Sequence, residues 1–280
     1  MESRPLRYFV AVAEELNFAR AAERLGISPP PLSRAIRQLE TEMGVTLFER
    51  NTHSVALTPP GTVLLTEARI ALDALQAAER RTQRAAAAEP KLILAMKADG
   101  DAGLLAPILA RFATEPEAVP VAVRLCGWHE HARLLRRGEA DAALVHEPFD
   151  RTGLDSEQLT AEQCVAAIAA THPLAGRDHL ALADLGLLPE DLPRFVHETR
   201  SAGRDLAQLL TLVALGGPTP LLPTSVAARY PRPGVVYRPV PNTPPAVLSI
   251  AWPQQSRSTA TAALVRTAVA VAEEAARNGS

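Results

Sequence analysis

Three apolar stripes of helical period open the chain. Leu6, Phe9, Val10, Ala13 and Leu16 recur at spacings of one helical turn, followed by Phe18, Ala21, Ala22 and Leu25, and then by Leu32, Ala35, Ile36 and Leu39. Asn17 stands where the second helix needs an N-cap, and Gly26 stands just past its end. A short glycine-containing turn therefore joins the second and third helices, which is the helix-turn-helix arrangement. Ser28 and three prolines, Pro29 to Pro31, precede the third stripe. Proline is tolerated in a first helical turn but biases its predecessor away from helical angles. The third helix is thus expected to begin near Pro31, behind a stiff extended lead-in capped by Ser28.

Apolar residues then flank a polar centre at 51–54, which predicts a small hairpin, a wing beside the helices. Thr58 caps a further helix with Pro59 and Pro60 in its first turn, and no breaker occurs from 63 to about 88. Leu64, Ala68, Ala71, Leu75, Ala78 and Ala85 form its stripe, and Pro90 ends it. A lone helix of that length needs its apolar face covered, by its own domain or by a second copy. Because it links two domains, a dimerisation seam is the expected reading. Past Pro90, strands are expected at 92–96, 119–125, 142–146, 164–170, 234–240 and 247–252, with helices at 103–113, 130–137, 204–215 and 257–277. That alternation argues for parallel α/β sheets, which hold ligands at the carboxyl ends of their strands.

Composition narrows the partners. At 280 residues there is room for two domains with their own cores. The formal net charge is −2, and the seven Arg of residues 1–60 are matched by seven acids. Nucleic-acid binding must therefore come from placement, not from a basic bulk. All 29 basic residues except Lys91 and Lys97 are Arg, so Arg identity alone says little about phosphate contacts. No apolar run reaches membrane-spanning length, the N-terminus lacks a signal-peptide pattern, and Cys126 and Cys164 stand alone. A cytoplasmic chain with reduced thiols is expected. There is no nucleophile elbow, phosphate loop or dinucleotide fingerprint, and His129 and His131 would point to opposite faces of a helix. No enzyme, cofactor or metal is expected.

The order of motifs in residues 6–61, with "AAERL", "LSRAIRQLE", "GVTLFER" and "LTPPG", resembles the winged helix-turn-helix domain of LysR-type transcriptional regulators. "LLRRGEADAALVHEP" and "LVALGGPTPLLPTSV" resemble, more loosely, segments of that family's effector domain. The resemblance implies a DNA-binding domain over 1–59, a dimerising linker helix over 60–89, and an effector domain over 90–280. The last is expected to have two α/β subdomains like periplasmic binding proteins, one of 90–160 plus 254–280 and the other of 161–253. Promoter DNA, a small-molecule effector and a homodimer or tetramer follow as partners, with no membrane. Alternatives are an effector-independent DNA-binding regulator with a degenerate pocket, or a small-molecule binding protein without DNA activity.

Mapped onto the family pattern, Ser28, Pro30, Ser33 and Arg34 fall at DNA-contacting positions, with Arg37 one turn on and Arg50 and His53 on the wing. The competing reading pairs Arg34 and Arg37 with Glu40 or Glu42. Pro29 replaces a commonly found Gln and removes one base-reading side chain. In the effector domain, Asp99, Gly100 and Asp101 follow the first strand, Trp128 the second, and His146 and Pro148 the third; His197, Thr199 and Pro223 are placed near the cleft from the second subdomain. Where the family usually offers Ser or Thr, this chain has Asp99 and Asp101. Asp101 either caps the next helix or faces the cleft, where a carboxylate disfavours acidic effectors.

Overall fold

The computed structural model describes residues 2–50, 54–86, 90–128, 130–192, 194–196 and 205–278. It forms two compact units, the first built on Met1–Gln83 and the second on Arg84–Leu135 with Glu139–Ser280. Among the described residues no helix is long and apolar enough to cross a membrane.

The first unit contains α1 (Ser3–Glu15), α2 (Phe18–Leu25), α3 (Pro29–Met43), strands β1 (Phe48–Arg50) and β2 (Val55–Leu57), and α4 (Pro59–Ala85). Helices α1 to α3 bury most of their predicted stripes, apart from exposed Leu16, whereas of the stripe predicted for α4 Leu64 and Ala68 are buried and Ala71, Leu75 and Ala78 are exposed. Phe9 and Val12 of α1, Ala21 and Ala22 of α2, and Leu32, Ile36 and Leu39 of α3 meet Leu47 and Phe48 before Leu64 and Ala68 of α4 close the core. The caps follow local chemistry. The Asn17 carboxamide oxygen accepts the N–H groups of Ala19 and Arg20 at 2.9 and 3.0 Å, and Gly26 adopts a left-handed φ of 67°. Thr58 Oγ1 accepts the Gly61 N–H at 3.0 Å. Gly61 is required there, because a Cβ would lie 2.1 Å from the Leu47 carbonyl oxygen.

The triple proline departs from expectation. Helix α3 begins at Pro29, directly after Ser28, and not near Pro31. The first N–H groups of a helix have no intrahelical acceptor, so prolines there forfeit no hydrogen bond. That saving, with Leu32, Ile36 and Leu39 anchored in the core, outweighs the bias each proline puts on its predecessor. Ser28 occupies the N-cap position, with φ −79° and ψ 153°, yet its side chain makes no cap bond. The N–H groups that a cap accepts belong to the second and third helical residues. Here these are Pro30 and Pro31, which have none.

The second unit has two lobes. The first is a five-stranded sheet in the order β4–β3–β5–β10–β6, from β3 (Leu92–Met96), β4 (Val121–Leu125), β5 (Ala142–His146), β6 (Leu154–Glu162) and β10 (Ala246–Pro253). Helices α5 (Leu105–Phe112), α6 (His131–Arg136) and α9 (Thr259–Asn278) belong to this lobe. Ile108 and Phe112 of α5 and Leu264 and Ala268 of α9 share a core with Leu94 and Ile250. The second lobe is a three-stranded sheet, β8–β7–β9, from β7 (Cys164–Ala169), β8 (Leu221–Pro223) and β9 (Val235–Pro239), with α7 (Leu206–Ala214) and α8 (Thr224–Arg229). The sheets are only partly parallel. β3 runs parallel to β4 and β5, but β10 is antiparallel to β5 and β6, and both pairings of β7 are antiparallel. Strand β10 belongs to the first sheet, so the chain re-enters the first lobe between Val240 and Ala246, before the expected boundary at 253.

Candidate nucleic-acid interface and effector site

On α3 one face is committed to the core and the other is open. Leu32, Ile36 and Leu39 are buried, whereas Ser28, Pro30, Arg34 and Arg37 are exposed and Ser33 is half-buried. The acids that might have neutralised this face are engaged elsewhere. Glu40 Oε1 accepts the N–H groups of Leu47 and Phe48 at 2.9 and 3.2 Å, and Glu40 Oε2 takes Arg50 at 2.9 Å. Glu42 accepts the Gln38 amide at 2.9 Å. Among the described residues neither Arg34 nor Arg37 has a carboxylate partner. Arg50 is different: besides Glu40, its guanidinium lies 4.7 Å over the Phe18 ring, so it braces the wing against α2 and α3. His53 lies outside the described residues.

In the second unit, the loop after β3 carries Asp99, Gly100 and Asp101. Asp101 is buried and accepts the Leu105 N–H at 3.2 Å, so it caps α5 as one reading required. It is also paired with Arg229, at the end of α8 in the second lobe, at 2.5 Å. Burial alone would raise the Asp101 carboxyl, but the Arg229 hydrogen bond and the Leu105 N–H outweigh it and hold the group below its ordinary value. The neighbouring Tyr230 hydroxyl donates to Asp99, and that bond together with burial pushes the phenol upward. The Lys97 ammonium sits over the Trp128 ring. A Cβ on Gly100 would lie 3.4 Å from the Lys97 carbonyl oxygen and 3.5 Å from His146 Cε1, ordinary contact distances, so the loop packs closely on His146 without requiring the glycine. Asp99, Gly100, Trp128, His146 and Pro223 do converge on one cleft, but only about 30 Å³ remains open there.

Pro148 faces a different space. A cavity of about 430 Å³ is walled by Pro148 and Phe149 from the first lobe, Leu192 and Leu221 from the second, and the segment 243–246 that connects them. Pro223 borders both spaces. His197 and Thr199 lie outside the described residues. Sequence reasoning missed Arg229 and Tyr230, and no local signal marks them: Arg229 is 128 positions from its partner. It also missed Leu192, Leu221 and Pro244, whose apolar character reads equally well as core.

A winged helix-turn-helix with an open basic face, followed by a hinged two-lobed α/β unit, defines a bacterial DNA-binding regulator with a ligand-binding domain. Comparison with known proteins agrees. The profile of the bacterial regulatory helix-turn-helix proteins of the lysR family matches residues 3–62, and that of the LysR substrate binding domain matches residues 85–273. The chain belongs to the LysR family of transcriptional regulators. It is 35% identical to the HTH-type transcriptional regulator AlsR of Bacillus subtilis (strain 168) over 186 residues, covering 66% of this chain and 62% of AlsR. It is 31% identical to the Hca operon transcriptional activator HcaR of Escherichia coli (strain K12), covering 90% of this chain and 92% of HcaR. Among solved structures it resembles full-length CbnR complexed with its target DNA, at 25% identity and a TM-score of 0.57, covering 97% of this chain and all of that one (100%).

Proposed function

We infer that this regulator reads promoter DNA through α3, with Ser28, Pro30, Ser33, Arg34 and Arg37 at the interface, and that a small molecule held between the lobes of the second unit sets its DNA affinity. The observation that carries the first part is the open face of α3, where among the described residues Arg34 and Arg37 have no carboxylate partner while Glu40 and Glu42 are occupied elsewhere. Free guanidinium groups can bind phosphate or the O6 and N7 edge of guanine. Arg50 positions the wing, and His53, outside the described residues, is the further candidate there. CbnR, a relative of the same family, is solved with its target DNA, which supports the same use here. Such a protein works in the cytoplasm.

Two copies pair through α4. Leu64 and Ala68 are buried, while Val63 and Ile70, seven residues apart on one face of the same helix, are 65% and 39% exposed, apolar surface that a second chain would cover. Genomic binding-site mapping followed by mobility shifts on the recovered fragments tests the reading. Arg34→Ala should cost about 1–3 kcal/mol of affinity at a base-reading position, and leave the dimer intact by light scattering. Full affinity in that variant refutes the assignment. The filled cleft beside Asp101 favours a second reading, a regulator with no effector. The larger cavity beside Pro148 argues against it.

A further inference from the structure

We propose that the ligand of this domain is an uncharged, apolar small molecule held in the cavity beside the hinge, and not in the cleft at the strand ends. The proposal rests on the reading of the second unit as an effector domain and names its site and ligand class.

The strand-end cleft is occupied by the protein itself. Asp101 is taken by Arg229 and by the Leu105 N–H, Asp99 by the Tyr230 hydroxyl, and Lys97 by the face of Trp128. The remaining 30 Å³ or so is less than a tenth of the hinge cavity's volume of about 430 Å³. A ligand there would have to break all of these contacts before making any.

The hinge cavity, at about 430 Å³, falls within the range of small-molecule sites. Its wall is made of apolar side chains from both lobes: Pro148 and Phe149 on one side, Leu192 and Leu221 on the other. Among the described residues no Lys, Arg or His lines it, and the charged ones that do are Glu147 and Asp150. Beside these described residues a carboxylate or phosphate ligand would be desolvated next to like charges, with no cation among them to pair with. An ammonium gains little, because both acids have partners already. Glu147 accepts Arg151 and the Ser249 hydroxyl, and exposed Asp150 accepts the Thr152 N–H at 3.0 Å. The walls are therefore complementary to a neutral apolar molecule.

The position has a mechanical consequence. Cys164 opens β7 where the chain enters the second lobe, and 243–246 lead into β10 where it returns. A ligand in this cavity touches both crossings and both lobes, so it can favour one lobe angle over another in a way that a molecule bound to one lobe could not.

A matched pair of fluorescent probes tests this on the full chain: neutral N-phenyl-1-naphthylamine, and 8-anilino-1-naphthalenesulfonate, which adds one negative charge to the same skeleton. The neutral probe should bind one-to-one and at least tenfold more tightly than the sulfonate. Pro244→Trp in the connecting segment 243–246 and Leu221→Trp on the second-lobe wall should each weaken it at least tenfold, whereas Arg229→Ala should leave it within twofold. Two filling variants at separate sites guard against one that fails to fold. Equal or tighter binding of the sulfonate overturns the ligand class. Binding lost in Arg229→Ala but kept in both filling variants overturns the location, and no binding of either probe overturns both. Mobility shifts on the same samples are independent of these outcomes, so loss of the regulator reading would appear there and not in the probe titration.

Discussion

Replacing Ser28 by Ala should cost the fold almost nothing, although Ser28 sits at the N-cap of the recognition helix. An N-cap hydroxyl normally contributes about 1 kcal/mol by accepting the N–H of the second or third helical residue. In α3 those residues are Pro30 and Pro31, and the Ser28 side chain makes no cap bond. The expected loss for Ser28→Ala is therefore below about 0.5 kcal/mol, the range of an ordinary surface substitution. Asn17 is the internal control. Its carboxamide oxygen accepts two N–H groups, at 2.9 and 3.0 Å, and Asn17→Ala should cost about 1 kcal/mol, or roughly 4–8 °C of melting temperature in a unit of this size. Both tryptophans, Trp128 and Trp252, lie in the second unit. Tryptophan fluorescence can thus follow the second unit alone, and a far-ultraviolet circular dichroism transition that it does not share belongs to the helices of the first. In a Pro30→Ala/Pro31→Ala background the missing donors return, and Ser28→Ala should then cost about 1 kcal/mol. In the parent chain the uncommitted hydroxyl is free for DNA, so Ser28→Ala should weaken operator binding while leaving melting unchanged. A Ser28→Ala loss as large as that of Asn17→Ala, or one unchanged by removing the prolines, would refute this account of the triple proline.

Other outcomes follow from the same geometry. Gly61→Ala drives a Cβ to within 2.1 Å of the Leu47 carbonyl, and should cost at least about 1–3 kcal/mol, abolishing DNA binding while the tryptophan-monitored transition of the second unit stays in place. The Asp101 carboxyl is held below its ordinary value in the folded chain. Its contribution to stability is thus present above an unfolded value of about 3.9 and lost as the pH falls through the lower folded value. Acid titration of the second unit should show that loss below about pH 4 in the parent, and Arg229→Ala should shrink it; an identical acid limb in both chains would count against the pairing. Burial pushes the Cys126 thiol up to about 11, so it stays protonated at neutral pH. Iodoacetamide should label it far more slowly than a free thiol, and rapid labelling at pH 7 would contradict the buried environment.

What the sequence revealed and what it hid divide along the range of the interactions. The first unit was legible because its determinants are local: Asn17 caps the residues beside it, Gly26 ends the same helix, and Thr58 caps the turn that contains Gly61. Strand β6 escaped notice because it lies at the edge of its sheet and pairs only with β10, so Leu154 and Leu159 are separated by polar residues that face outward. The expectation of parallel sheets holds for β3, β4 and β5 and fails for β10 and the second sheet. The chain leaves the first lobe after β6 and returns beside it as antiparallel β10, and no apolar pattern encodes direction. The candidate ligand site was hidden for a stronger reason. Asp101 announced a helix cap, which it is, but nothing near it in sequence announced Arg229, and only the folding of α8 back over the loop turns two apparently ligand-facing carboxylates into a closed contact. Once those charges are neutralised from within, the selectivity of the domain passes to the apolar walls at the hinge. A sequence reading that sees two aspartates at the family's ligand loop therefore points to a cationic or hydroxylated effector, while the folded chain points to a neutral one.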